Sequence, residues 1–128
     1  MAHLRDVTFD CRHPASLARF WAEVLDGYLV APYDEAERDR LRDLGTDDPE
    51  DDPTVLVEGP EGRPRLFFQQ VPEEKVVKNR VHLDLVAEDV DAELVRLEAL
   101  GATPQAEQPD DRFIVLRDPE GNELCLMR

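Results

Sequence analysis

Cysteine, aromatic residues, basic residues and long apolar runs are all in short supply in this sequence. The two cysteines, Cys11 and Cys125, belong to no Cys-x-x-Cys pair and to no zinc-finger spacing. A disulfide framework is thereby excluded, and two such residues in an intracellular chain are expected as thiols. No apolar stretch approaches the roughly 20 residues that span a bilayer. Met1 to Asp10 lacks the apolar centre of a signal peptide, so a cytoplasmic location is expected. Fifteen Lys and Arg stand against 30 Asp and Glu, a formal net charge of −15. Such a surface repels the phosphates of nucleic acids and of anionic membranes, so neither is expected as a partner, whereas cationic small molecules are favoured. The glycine-rich phosphate loops, the Gly-x-Ser-x-Gly elbow and the His-Glu-x-x-His zinc motif are absent, so no nucleotide cofactor is expected.

What is present is the patterning of one ordinary globular domain, 1–128, with 41% hydrophobic and 35% charged residues. From Leu4 to Cys11, Val7, Phe9 and Cys11 alternate with Asp6, Thr8 and Asp10, which predicts a strand with one apolar face. Pro14 and Ser16 open a helical pattern carried by Leu17, Phe20, Trp21, Val24 and Leu25 and closed by Gly27. Short strands are predicted at 28–31, 54–58 and 65–71, the last two as a hairpin around Pro60-Glu61-Gly62. The segment 34–52 holds ten acidic residues and three arginines. Its first part suits a short helix ended by Gly45, and the whole reads as a solvated insert or flexible lid.

The pattern then begins again. Arg80 to Val86 alternates, Val90 to Leu100 is amphipathic and stops at Gly101, and strands are predicted at 103–106, 113–117 and 123–127. Asp10 and Asp84 lie 74 positions apart, and so do Gly27 and Gly101. Two βαβββ modules follow, one over about 1–72 with the acidic insert and one over about 80–128. Each holds only about 60 residues, too few for a comfortable core alone. The fold class is therefore α+β.

These residues carry a family resemblance. "DVTFDCRHPASLARFWAEVLDGY" resembles the opening strand and helix of the vicinal-oxygen-chelate superfamily, and "VHLDLVAEDVDAELVRLEALGA" resembles its second opening. "VLRDPEGNELCLM" resembles its closing hairpin, built on Asp-Pro-x-Gly-Asn. The branch it is most similar to is that of the glyoxalase-like domain proteins, of the glyoxalase, bleomycin-resistance and dioxygenase kind. The resemblance implies a cupped, eight-stranded mixed sheet with helices on its outer face and a ligand on its inner face. It also implies a homodimer, since such sheets have edges to cover. Asp6, Thr8, Asp10, Phe67, Gln69, His82, Asp84, Glu123 and Cys125 become the candidate pocket residues, while Val7, Phe9, Val81, Leu83, Leu124 and Leu126 are expected against the helices.

Metal-dependent relatives hold a divalent ion with His, Gln or Glu, which stabilises an enolate or oxyanion of the substrate. His82 matches one such position. The first-strand ligand falls on Asp6 or Thr8, and the glutamate of the closing strand falls on Cys125. Glu123 lies about 7 Å away along that strand. On the fourth strand Gln69 and Gln70 are the candidates, on opposite faces. Only one usual ligand survives unchanged, so no metal cofactor is expected, and His82, Asp6 and Cys125 form the fallback set for a divalent ion. A His82–Cys125 pair is a possible activated thiol for which the sequence offers no third, orienting group. Asp10 and Asp84 are read as hydrogen-bonding across the pseudo-two-fold, with binding a cationic group or acting as acid and base as the alternatives. Two functions result: a protein that binds a small molecule without the usual metal site, or a metal-dependent lyase, isomerase or dioxygenase acting on a small oxygenated metabolite.

Overall fold

Alternation and glycine placement become eight strands and three helices in the computed structural model, which describes all 128 residues. The chain divides into two compact units, Met1–Glu74 and Lys75–Arg128, each built on its own four-stranded mixed sheet. No helix is long and apolar enough to cross a membrane.

In the first unit, β1 (Asp6–Cys11) runs parallel to β4 (Arg65–Gln70), and β3 (Thr54–Glu58) and β2 (Leu29–Val30) complete the order β1-β4-β3-β2. The register places Val7 beside Leu66 and Phe9 beside Phe68, with Val57 and Val55 next along. Helix α1 (Pro14–Val24) packs on this face with Leu17, Phe20, Trp21 and Val24. Phe9 joins them, its ring 5.0 Å from Trp21 and stacked 5.1 Å from Phe68. The opposite face carries Asp6, Thr8 and Asp10 next to Arg65, Phe67 and Gln69, because side chains alternate along a strand.

The acidic insert carries a capped helix and a buried carboxylate. Helix α2 (Glu35–Asp43) is capped by the Asp34 carboxylate, which accepts from the Glu37 amide at 2.9 Å, and its first turn carries Glu35 and Glu37 where negative charge suits the helix dipole. Leu41 is buried. Asp52, only 1% exposed, accepts hydrogen bonds from the Tyr33 hydroxyl at 2.7 Å, from Arg40 Nη2 at 2.6 Å and Nη1 at 3.1 Å, and from the Thr54 amide at 3.0 Å. A 3-10 turn at Pro49–Asp51 lies against α1, where Arg19 pairs with Glu50. The insert is thus pinned at both its helix and its end. Composition hid this because a buried carboxylate looks like any other acidic residue in a sequence.

In the second unit, β5 (Leu83–Leu85) runs parallel to β8 (Glu123–Met127), followed by β7 (Phe113–Arg117) and the edge strand β6 (Thr103–Pro104). Leu124, Leu126, Ile114 and Leu116 form the apolar face, and α3 (Val90–Leu100) lies against β8 with Leu97 fully buried. Asp89 caps α3, and Gly101 ends it in the left-handed conformation at φ 115°.

The expected strand over 80–86 pairs through only three residues, and Val81 is 74% exposed instead of facing the helix. The register explains this correction. Leu83 stands beside Leu124, so Val81 would need a partner at Asn122. Asn122 is already committed to the closing turn: its amide donates to Asp118 Oδ1 and its side-chain nitrogen to Asp118 Oδ2, each at 2.9 Å.

Candidate functional site

The closing turn sets the site. Asp118 Oδ1 also accepts from the Glu120 amide, and Gly121 takes the φ of 88° that the turn requires. Strand β8 leaves this turn with Glu123 and Cys125 on one face and Leu124 and Leu126 on the other. The register puts Cys125 directly opposite Asp84, and His82 precedes Asp84 by two residues.

His82 and Asp84 form a close pair: Nδ1 of the imidazole lies 2.9 Å from Asp84 Oδ1, with the two side chains 40% and 53% exposed. The Cys125 thiol, 7% exposed, lies beside them. One ligand atom each from His82, Asp84 and Cys125 fall within 4.8 Å of one another. Burial pushes the Cys125 thiol above its ordinary pKa, and the neighbouring Asp84 carboxylate, whose charge and hydrogen bond favour the protonated thiol, pushes it further. Neither Cys125 nor Cys11 is in a disulfide; Cys11 donates to the Gln69 carbonyl in the first unit.

The structure corrects the sequence expectation at Asp84. It supplies the third group beside the His82–Cys125 pair. A signal for this existed: once β5 is set parallel to β8, the residue opposite Cys125 is Asp84. The raised thiol pKa argues against an activated thiolate nucleophile.

The other candidate residues are placed as follows. Asp6 is fully engaged. Arg65 Nε donates to its Oδ1 at 2.7 Å, Arg65 Nη2 to its Oδ2 at 3.1 Å and Arg5 Nε to Oδ2 at 2.8 Å. The Arg65 bonds hold this carboxyl below its ordinary pKa. Arg65 also stacks over the half-buried Phe67 ring, 5.3 Å from its centre. Thr8, Asp10 and Gln69 are exposed on the same face, and Gln70 turns the other way and donates to the Arg12 carbonyl. Glu123 is buried and bound by Lys75 Nζ at 3.1 Å and by the Asn79 amide at 2.9 Å. Burial works against its charge, but these bonds outweigh it and hold the carboxyl below its ordinary value.

The sequence profile of the glyoxalase-like domain matches residues 6–127. The chain belongs to that family. No curated protein matches this glyoxalase-like chain significantly. Among solved structures, a glyoxalase/bleomycin resistance protein/dioxygenase family enzyme from Burkholderia phytofirmans superposes with a TM-score of 0.64 at 18% identity, over 98% of this chain and 97% of the other. A possible glyoxalase from Bacillus cereus gives 0.65 at 12% identity over 100% of both chains. A mutant of the fosfomycin resistance protein FosX from Listeria monocytogenes, complexed with Mn(II) and dihydroxypropylphosphonic acid, gives 0.66 at 13% identity over 99% of this chain and 90% of the other. At these identities the likeness shows the fold.

The usual divalent-metal ligand set of the family does not fit this glyoxalase-like domain. At the first-strand position stands either Thr8, which is not a usual ligand, or Asp6, whose two oxygens are taken by arginine; at the closing-strand position a protonated thiol stands where a carboxylate is usual, and Glu123 is neutralised by Lys75.

Proposed function

We propose that this glyoxalase-like protein binds a small molecule through the polar face of its second sheet, without the family's usual metal centre, and that the ligand carries a cationic group. The observation that supports this most is the fate of the acidic candidates. Asp6 and Glu123 are matched internally by Arg65 and Lys75, whereas Asp84 forms no salt bridge to lysine or arginine and remains half exposed next to His82. An amine or guanidine placed there gains a charge-assisted hydrogen bond, in a molecule whose net charge of −15 draws cations toward it.

The experiment is a thermal-shift screen of metal-stripped protein with matched cationic, neutral and anionic small molecules, repeated on Asp84→Asn. Stabilisation concentrated in the cationic set and lost in the variant is the expected result. Hits confined to neutral or anionic compounds refute the cationic ligand, and an absence of hits in every set refutes the binding function.

A second reading, a metal-dependent lyase, isomerase or dioxygenase acting on a small oxygenated metabolite, is favoured by the convergence of three potential donors at His82, Asp84 and Cys125. Turnover that depends on added metal and disappears in His82→Ala would favour it over simple binding.

A further inference from the structure

Resting on the reading of the second sheet's polar face as a site for a cationic ligand, we propose that this ligand is a monocationic amphiphile: one ammonium group at Asp84, with a short alkyl or aryl body held by Phe113 and Met127.

The strand register lays this face out in transverse rows. Like-facing residues recur at every second position, so successive rows stand about 7 Å apart. Arg117 beside Glu123 makes a charged row. Asp84 beside the Cys125 thiol makes the next. Phe113 beside Met127 makes a third that is wholly apolar, and both residues are only part buried. Polarity thus falls steadily from one end of the face to the other. An ammonium at Asp84 leaves its carbon substituent about 7 Å along the strands and about 5 Å across them from Met127, within reach of a short alkyl chain or a single ring.

The charges admit one cation. Glu123 already holds Lys75 Nζ at 3.1 Å and the Asn79 amide at 2.9 Å, and Arg117 adjoins it in register. A second ammonium reaching that way meets a matched carboxylate and an arginine. One reaching the other way meets hydrocarbon and loses its hydration. A carbon body has the opposite preference, because the Phe113 ring and the flexible Met127 thioether offer apolar area that moulds to varied shapes. Attraction to a chain of net charge −15 favours a dication over a monocation, so a preference for the monocation is the signature of the apolar row.

The test is an NMR titration of the metal-stripped full-length protein with primary alkylammonium ions from methyl to hexyl, with hexane-1,6-diammonium and with 1-hexanol. Affinity is expected to rise with each methylene, by up to about fourfold where burial is complete. Hexylammonium should bind at least several-fold more tightly than the diammonium, and Met127→Gln should erase most of the dependence on chain length. Methylammonium and hexylammonium bound equally, or the diammonium bound more tightly than hexylammonium, overturns the amphiphile and leaves the cationic reading standing. Both results come from the wild-type protein, so they decide the matter even if the variant misfolds. 1-Hexanol bound as tightly as hexylammonium overturns the cationic reading instead, and with it the ammonium at Asp84.

Discussion

Asp84 Oδ1 lies 2.9 Å from His82 Nδ1 while the residue stands directly opposite Cys125 across the β5–β8 ladder, so one carboxylate faces both an imidazole and a thiol. It opposes a second negative charge on the neighbouring sulfur.

Removing that charge should free the thiol. In Asp84→Asn the Cys125 pKa falls, because one of the two effects raising it is gone while burial remains. The pH profile of alkylation by a small haloacetamide is expected to move to lower pH, with a several-fold faster reaction at neutral pH. An unchanged profile would show that burial alone sets the thiol. The stability linkage has a definite sign. A thiol raised in the folded state contributes stability that is fully present below the unfolded thiol pKa of about 8.5 and is lost as pH rises through the folded value. Alkaline denaturation is therefore expected to begin later in Cys125→Ser.

Asp52 is expected to be the costliest single carboxylate to lose. Asp52→Ala leaves Arg40, Tyr33 and the Thr54 amide without their shared acceptor, for a loss of about 2–3 kcal/mol by urea melt at pH 7. Burial works against the Asp52 charge, yet Arg40, the Thr54 amide and Tyr33 outweigh it, so its pKa is depressed. A depressed carboxylate contributes stability above its unfolded pKa of about 3.9 and loses it as pH falls through the folded value. The gap between wild type and Asp52→Ala should accordingly shrink in acid; a gap that stays constant down to acid unfolding would contradict the pinned insert.

Phe67 and Phe68 are adjacent in sequence and opposite in consequence. Phe68 is fully buried and stacked on Phe9, and Phe68→Ala should cost about 3–5 kcal/mol. Phe67 is half buried under Arg65, and its alanine variant should cost about 1 kcal/mol. Comparable urea midpoints for the two variants would mean that the faces of β4 have been assigned the wrong way round.

Much of this architecture was legible from periodicity. The strands at 54–58, 113–117 and 123–127 and the helix ended by Gly101 follow directly from alternation and a glycine stop, because a half-buried element must repeat with its own geometry. The separation of Phe67 from Phe68 followed from the same parity. Pairwise commitments were not legible. Nothing in the pattern of 80–86 reveals that Asn122 is spoken for by Asp118, or that Asp52 alone among its acidic neighbours is buried. The same holds at the site. His82 and Cys125 were nameable, but their closest shared neighbour emerged only when the β5–β8 register was known, and the loss of Asp6 to Arg65 is a contact between residues 59 positions apart.

The Asp118–Asn122 turn has a consequence for how this protein can change. Side chains alternate with a period of two, so a slip of one residue in β8 would drive Glu123 and Cys125 into the leucine layer and push Leu124 and Leu126 out of it. A single buried carboxylate, gripping three nitrogens of its own loop, keeps that from happening. The chemistry at 125 is thereby uncoupled from foldability. A substitution at that position leaves the register set by the turn in place, while an insertion or deletion between 118 and 122 would scramble every function the strand carries.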